Sequence, residues 1–486
     1  MWHEERLLID GKLVEAEGGR TFETYNPTTG EVLGSAADAS VADARAAVEA
    51  ARRAFDDTTW ATDVALRQRC LRQLHESLLE HRAELSELIV AENGLPVTLI
   101  DGGPGLDSPT AMVAWHADLL DRYEFTQDLG EAEARGAMHH RWVEREPVGV
   151  AALIVPYNYP IQISLAKLAP AMAAGCTSIL KGPPEAPWLT ATLGKLIAEE
   201  TDVPAGVVNV LTGAAPEVGE ALTTSRDVDM VSFTGSTATG RRIMAAASET
   251  VKKVFLELGG KSACIVLDDA DLALSAMIAA FTITSHAGQG CAITSRLLLP
   301  ASKFDEGVAL VADMLAGVPY GDPSDPSKMM GPLVSEKQLQ KVDGMVQDAV
   351  AGGARVVTGG KRAEGLGGGW FYEPTLLVDV DNSAPIAQDE VFGPVLVALP
   401  YEDDDDAVRI ANDSQFGLSG TVFGEDAERA RAVAKRIRVG TVSVNGGMWY
   451  APDAPFGGFK QSGNGREMGV PGLEEYLEIK TIAEPV

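Results

Sequence analysis

Cysteine is scarce in this sequence. There are four in 486 residues (Cys70, Cys176, Cys264 and Cys291), and none forms a CxxC pair. That argues against a disulfide framework and against a cysteine-based zinc site, and reduced thiols are expected. The seven histidines show no cluster at metal-ligand spacing, so no metal is expected. Positive charge is scarce too, with 40 Lys and Arg against 70 Asp and Glu, a formal net charge of −30. Nucleic acid and anionic membrane both reward clustered basic side chains, so neither is expected as a partner. No apolar run approaches the length of a membrane span. The opening Met1-Trp2-His3-Glu4-Glu5 also lacks a basic stretch followed by an apolar one. A cytoplasmic protein is the expectation. Internal repeats and disordered linkers are absent.

The hydrophobic fraction, 45%, is that of a globular chain long enough for about two or three domains. Residues 40–55 predict an amphipathic helix, capped by Ser40 with Asp43 in its first turn. Residues 64–92 read as a second long helical stretch. From 147 the pattern changes to alternating strands and helices. The run 148–156 is continuously apolar, as a strand buried on both faces should be, and 161–175 follows as a helix closed by Gly175. Strands at 176–181, 207–213 and 229–236 alternate with helices near 187–200 and from 237. This predicts a parallel, doubly wound sheet that binds a ligand at its strand C-termini. A second α/β unit runs from LELGGKS (256–262) to about 455. The acidic run Glu402 to Asp406 precedes a helical segment and reads as helix-terminus charge compensation rather than a metal site.

Three segments bent by glycine or proline carry chemistry. Cys291 lies in GQGCAITSR (288–296), Glu257 in LELGGKS, and Asn158 in PYNYP (156–160). Together they supply a nucleophile, a base and an oxyanion donor, the set for acyl chemistry through a thioester. The bland alternatives are a buried inert thiol, a surface strand carboxylate and a turn asparagine. Gly288 and Gly290 count against the first, and apolar neighbours around Glu257 favour a raised pKa suited to a general base. FTGSTATG (233–240) is a glycine-bracketed turn from strand into helix. Its N–H groups and the Ser236 hydroxyl can meet a pyrophosphate, although it is not the GxGxxG fingerprint. Lys181, at a strand end, can reach ribose hydroxyls.

These segments resemble the motifs of the aldehyde dehydrogenase superfamily over essentially the whole chain. EVFGPV (390–395) and PFGGFKQSGNGRE (455–467) are similar to two further signatures. The resemblance implies an α/β fold with a Rossmann-type cofactor domain (1–127 and 147–257), a second α/β catalytic domain (258–455) and small oligomerisation strands (128–146 and 473–486). It implies Cys291 as nucleophile, Glu257 as general base, Asn158 as oxyanion donor, Lys167 as support for the Asn158 region and Glu467 in proton relay. Cofactor contacts are implied for Lys181, Gly213, Gly235, Ser236, Gly240, Tyr157, Glu185, Glu390 and Phe392. NAD is the implied cofactor, with NADP possible. Two departures from the family pattern bear on this. Tyr157 stands where Trp is usual, and Pro184 stands where many NAD-preferring members have Glu, with Glu185 one place later. By position, the substrate pocket draws on Tyr159, Ile163, Leu120, Ala292, Met448 and Tyr450. That set has no evident Arg for a second carboxylate, so an uncharged aliphatic or aromatic aldehyde is expected.

The implied activity is oxidation of an aldehyde to a carboxylic acid in a homodimer or homotetramer, the segments 128–146 and 473–482 pairing between subunits. A CoA-acylating enzyme would share the thioester, but a water-activating Glu257 would waste it. A non-enzymatic protein on the same scaffold would not need all three groups. A thiol hydrolase would act without nicotinamide.

Overall fold

The computed structural model describes residues 3–447 and 450–486. Two large sheets organise the chain. The first runs in the order Lys12–Val14, Leu7–Ile9, Val208–Leu211, Thr177–Lys181, Val150–Ile154, Met230–Thr234, Lys253–Glu257 and Gly463–Asn464. Its five central strands, from Val208–Leu211 to Lys253–Glu257, are parallel. They are short apolar runs, and four of them are buried along their entire length or nearly so, as helices on both faces require. The second sheet has seven strands, with Thr294–Pro300 and Ser262–Val266 at its centre and parallel to each other. The α/β class expected from the alternating pattern is the one observed.

The helices follow local rules. Val41–Asp57 is closed at its start by a full capping box between Ser40 and Asp43. Pro160–Ala174 starts with proline in its first turn and ends at Gly175, and every residue in it is buried. The acidic run behaves as expected, with Asp403 accepting from the Asp406 N–H at the start of the helix Asp404–Asn412.

Two expectations need correction. The stretch 64–92 is not one helix. It breaks at His81 into Val64–Glu80 and Arg82–Leu88, then winds into a π-helical turn at Ile89–Asn93. Apolar spacing persists across the break because every piece packs on the same core, so periodicity alone does not reveal it. The segments at 128–146 and 473–482 find each other within one chain. Thr126–Ala134, Ala137–Pro147 and Leu477–Pro485 form one three-stranded antiparallel sheet within the chain, Ile479 opposite Arg145. The C-terminal strand satisfies the hairpin's inner edge and leaves two outer edges open.

Candidate active site

The C-terminal ends of the first sheet face the loop that carries Cys291, and a cavity of about 220 Å³ lies between them. Pro156, Tyr157 and Asn158 line it from the turn after Val150–Ile154. Thr234 ends the strand Met230–Thr234 and Gly235 and Ser236 follow it, while Glu257 ends Lys253–Glu257 with Leu258 and Gly259 just beyond. Cys291, Gln338, Lys341, Glu390 and Phe392 close it from the second α/β unit. Parallel strands deliver these side chains to one place because all of them end on the same side.

Cys291 is half-buried, whereas Cys70, Cys176 and Cys264 are all buried. The backbone before it is unusual: His286, Ala287 and Gly288 have φ of 46°, 52° and 73° in succession. Left-handed conformation is costly for the first two, and Gly288 must lack a side chain because its Cβ would strike the Gly393 carbonyl. Gln289 holds the loop in place. Its Nε2 donates to the His286 and Pro332 carbonyls and its Oε1 accepts from the Val334 N–H at 3.0 Å. Burial and then the neighbouring Glu257 push the Cys291 thiol well above its ordinary range.

Glu257 is 2% exposed, and one of its carboxylate oxygens has no hydrogen-bond partner among the described residues. Burial, then the negative Glu467 nearby, raise its pKa to about 8, and hydrogen bonding with Cys291 opposes them. The result is a protonated thiol beside a carboxyl that titrates near neutrality. Once ionised, that carboxyl is placed to take the thiol proton. Asn158 is buried and gives one amide N–H to the Gln289 carbonyl at 3.0 Å. A primary carboxamide has a second N–H, which remains for an oxyanion.

Behind these groups, Lys167 is fully buried and donates to Glu467 at 2.8 Å and to Ser232 at 3.1 Å. Its ammonium also lies 4.7 Å from the Phe255 ring centroid. Lys181 is buried and donates to the Gly213 carbonyl at 3.2 Å, and burial lowers its pKa. It lines a second cavity, of about 400 Å³, between the helices Glu217–Thr224 and Thr237–Ala247. Ser236 caps the second of these helices through Thr239. The Gly235 N–H donates to the Glu257 carbonyl, and Gly240 lies where a Cβ would meet Leu258. Glu390 accepts from the Gly260 N–H at 2.9 Å. The Phe392 and Tyr157 rings meet edge to face at 5.9 Å. Burial raises the pKa of Glu185, which is held in electrostatic range of Lys181 and Lys337.

The expected substrate residues gather on two sides. Leu120, Tyr159 and Ile163 pack with the core of the first α/β unit. Ala292 and Tyr450 join Phe456 around Cys291. Met448 lies outside the described residues.

A model of the aldehyde dehydrogenase family matches residues 13–482. The 3-succinoylsemialdehyde-pyridine dehydrogenase of a Pseudomonas species is 42% identical over 480 residues, covering 98% of each chain. The chain belongs to the aldehyde dehydrogenase family. Among solved structures, an aldehyde dehydrogenase of Mycobacterium tuberculosis complexed with NAD+ superimposes with a TM-score of 0.94 at 40% identity. The match covers 99% of this chain and 98% of that one. Aldehyde dehydrogenase C of Pseudomonas syringae, a variant complexed with NAD+ and octanal, gives 0.93 at 38% identity, covering 99% and 96%.

Several site residues carried no signal as sequence. Gln338 and Lys341 come from an ordinary amphipathic helix, Glu336–Ala351. Gln338 Nε2 donates to the Phe392 carbonyl at 2.7 Å and Lys341 Nζ to the Glu390 carbonyl at 3.1 Å. Ser232 sits mid-strand, and Asn93 far upstream gives its Nδ2 to the Tyr157 carbonyl at 2.6 Å. Only packing brings these groups to the site.

Proposed function

We propose that this chain oxidises an uncharged aldehyde to its carboxylic acid with NAD+, through a thioester on Cys291. The observation that carries the proposal is the half-buried Cys291 beside the buried Glu257, in a cavity that also holds Asn158, Ser236, Glu390 and Phe392. The two neighbouring cavities together offer polar groups for a dinucleotide. Lys181 spends one donor on Gly213 and retains others for ribose hydroxyls, and the buried Thr234 hydroxyl has no partner among the described residues. Glu390 uses one oxygen on Gly260, which leaves the other for the second ribose. What the bound dinucleotide supplies is a hydride acceptor.

The protein's own groups do the rest. Glu257 takes the Cys291 proton as the sulfur attacks the carbonyl carbon. The free N–H of Asn158 and the Cys291 backbone N–H receive the developing oxyanion. Oxidation leaves an acyl thioester on Cys291. Once that first proton has left Glu257, the carboxylate removes a proton from water, the resulting hydroxide displaces the sulfur, and the acid departs. Lys167 and Glu467 hold charge balance behind Glu257 and pass its proton onward.

Octanal in the Pseudomonas syringae relative and the pyridine in the name of the Pseudomonas relative support an aliphatic or aromatic substrate without a charged tail. Assembly as a homodimer or homotetramer, acting in the cytoplasm, completes the reading. A panel of aldehydes assayed with NAD+ and NADP+, with product identified with and without CoA, tests it. The expected result is free acid with NAD+ and no dependence on CoA. Acyl-CoA as the product, or aldehyde turnover without nicotinamide, would overturn it.

A further inference from the structure

Asn158 can serve as an oxyanion donor only if its carboxamide is held still, and its loop is a short turn with no ladder hydrogen bonds of its own. Two anchors hold it. The first is Asn93, completely buried, whose Nδ2 donates to the Tyr157 carbonyl at 2.6 Å, immediately before Asn158. The second is the Gln289 carbonyl, which accepts from Asn158 itself.

Both anchors converge on one junction. Asn93 ends the π-helical turn Ile89–Asn93, a form often found at functional sites, and Gly94 follows with φ of 73°. A Cβ on Gly94 would lie 2.7 Å from Pro332 Cγ, so the turn and the 331–334 segment are in close contact. That segment grips Gln289 through the Pro332 carbonyl and the Val334 N–H. Glu92, next to Asn93, is buried as well. Its carboxyl accepts from the Trp188 and Leu189 N–H groups at 2.8 and 2.9 Å and from the Thr24 hydroxyl at 3.2 Å. The turn is thereby pinned to the start of the helix Pro187–Glu200 and to an outlying strand. A rigid strut thus reaches from the N-terminal region to both sides of the oxyanion carboxamide.

We infer that Asn93 is a positioning residue for catalysis, fixing the Asn158 carboxamide through the Tyr157 carbonyl. The inference rests on the oxyanion role given to Asn158 above. Asn93 touches neither substrate nor reacting atoms, and its effect passes through one hydrogen bond.

The test is a double-mutant cycle in the full-length enzyme. Asn93→Ala should lower kcat/KM for aldehyde by about 10- to 100-fold. In an Asn158→Ala background the same change should cost less than about threefold, because the group it positions is gone. Asn93→Asp keeps the size but donates only when protonated. Its activity relative to wild type should therefore rise as the pH is lowered. A merely structural residue would show losses that multiply in the double mutant and a pH-independent ratio, and either result overturns the inference. If Asn158→Ala alone cost less than about threefold, the oxyanion reading would fall and this inference with it.

Discussion

Lys167 and Glu467 meet at 2.8 Å with almost no solvent contact. They lie far apart in the chain and are joined only by the fold. Such a pair is weak evidence for stability, since desolvation offsets much of the attraction, but removing one member strands a buried charge. Its value here is electrostatic, because Glu467 is the charge that does most to raise Glu257.

Glu467→Gln should therefore act in two ways. Unfolding stability should drop by about 3–5 kcal/mol as Lys167 loses its partner. The ascending limb of the steady-state rate on the acid side, set by ionisation of Glu257 near pH 8, should move to lower pH, since a negative neighbour has been removed. A pH–rate profile with an unmoved limb would mean that Glu467 does not govern Glu257.

Cys291→Ala should abolish aldehyde oxidation, a loss of at least about 1,000-fold, together with any esterase activity. Binding of NAD+, followed by fluorescence titration, should persist. Dehydrogenase activity above a trace would make the covalent mechanism wrong.

Glu257→Gln fills nearly the same space but cannot accept a proton. If the thiol ionises without this base, the variant gives a burst of about one equivalent of reduced nicotinamide per site and then a much slower rate. Mass spectrometry then finds an acyl adduct on Cys291. Loss of the burst as well shows that Glu257 already serves the thiol, and an unaltered time course removes it from the mechanism.

The same variant reads out burial. The folded pKa of Glu257, about 8, lies above the ordinary 4.5. A raised carboxyl contributes stability that is fully present below about pH 4.5 and is lost as pH rises to about 8. Glu257→Gln has no such dependence. Between pH 6 and 8.5 the stability of wild type should fall relative to the variant by about 2 kcal/mol. A constant difference in thermal melts across that range would show that Glu257 is ionised throughout.

Assembly has its own test. The outer strand Leu477–Pro485 leaves Ile479 70% exposed, and the helix Leu272–Thr284 shows Leu274, Met277 and Phe281 to solvent along one face. Open edges and apolar faces of this kind favour a second copy of the chain. Sedimentation at micromolar concentration should give twice or four times the chain mass, and a monomeric mass would rule this out.

The candidate site was legible in the sequence because its groups are locally marked. Cys291, Glu257 and Asn158 each sit in a bent segment next to a strand, and parallel strands bring such segments to one side of a sheet whatever the rest of the chain does. The capping box at Ser40 and the helix stop at Gly175 were readable for the same reason, since both depend only on near neighbours. Tertiary structure decided what depends on long-range contact. The break at His81 and the π-turn that delivers Asn93 arise where packing overrides a continuous apolar period. The pairing of Leu477–Pro485 with its own chain's hairpin, rather than a partner's, depends on where the terminus emerges. The pKa of Glu257 came with the fold as well, because desolvation and the charge of Glu467 exist only once distant segments have closed around it.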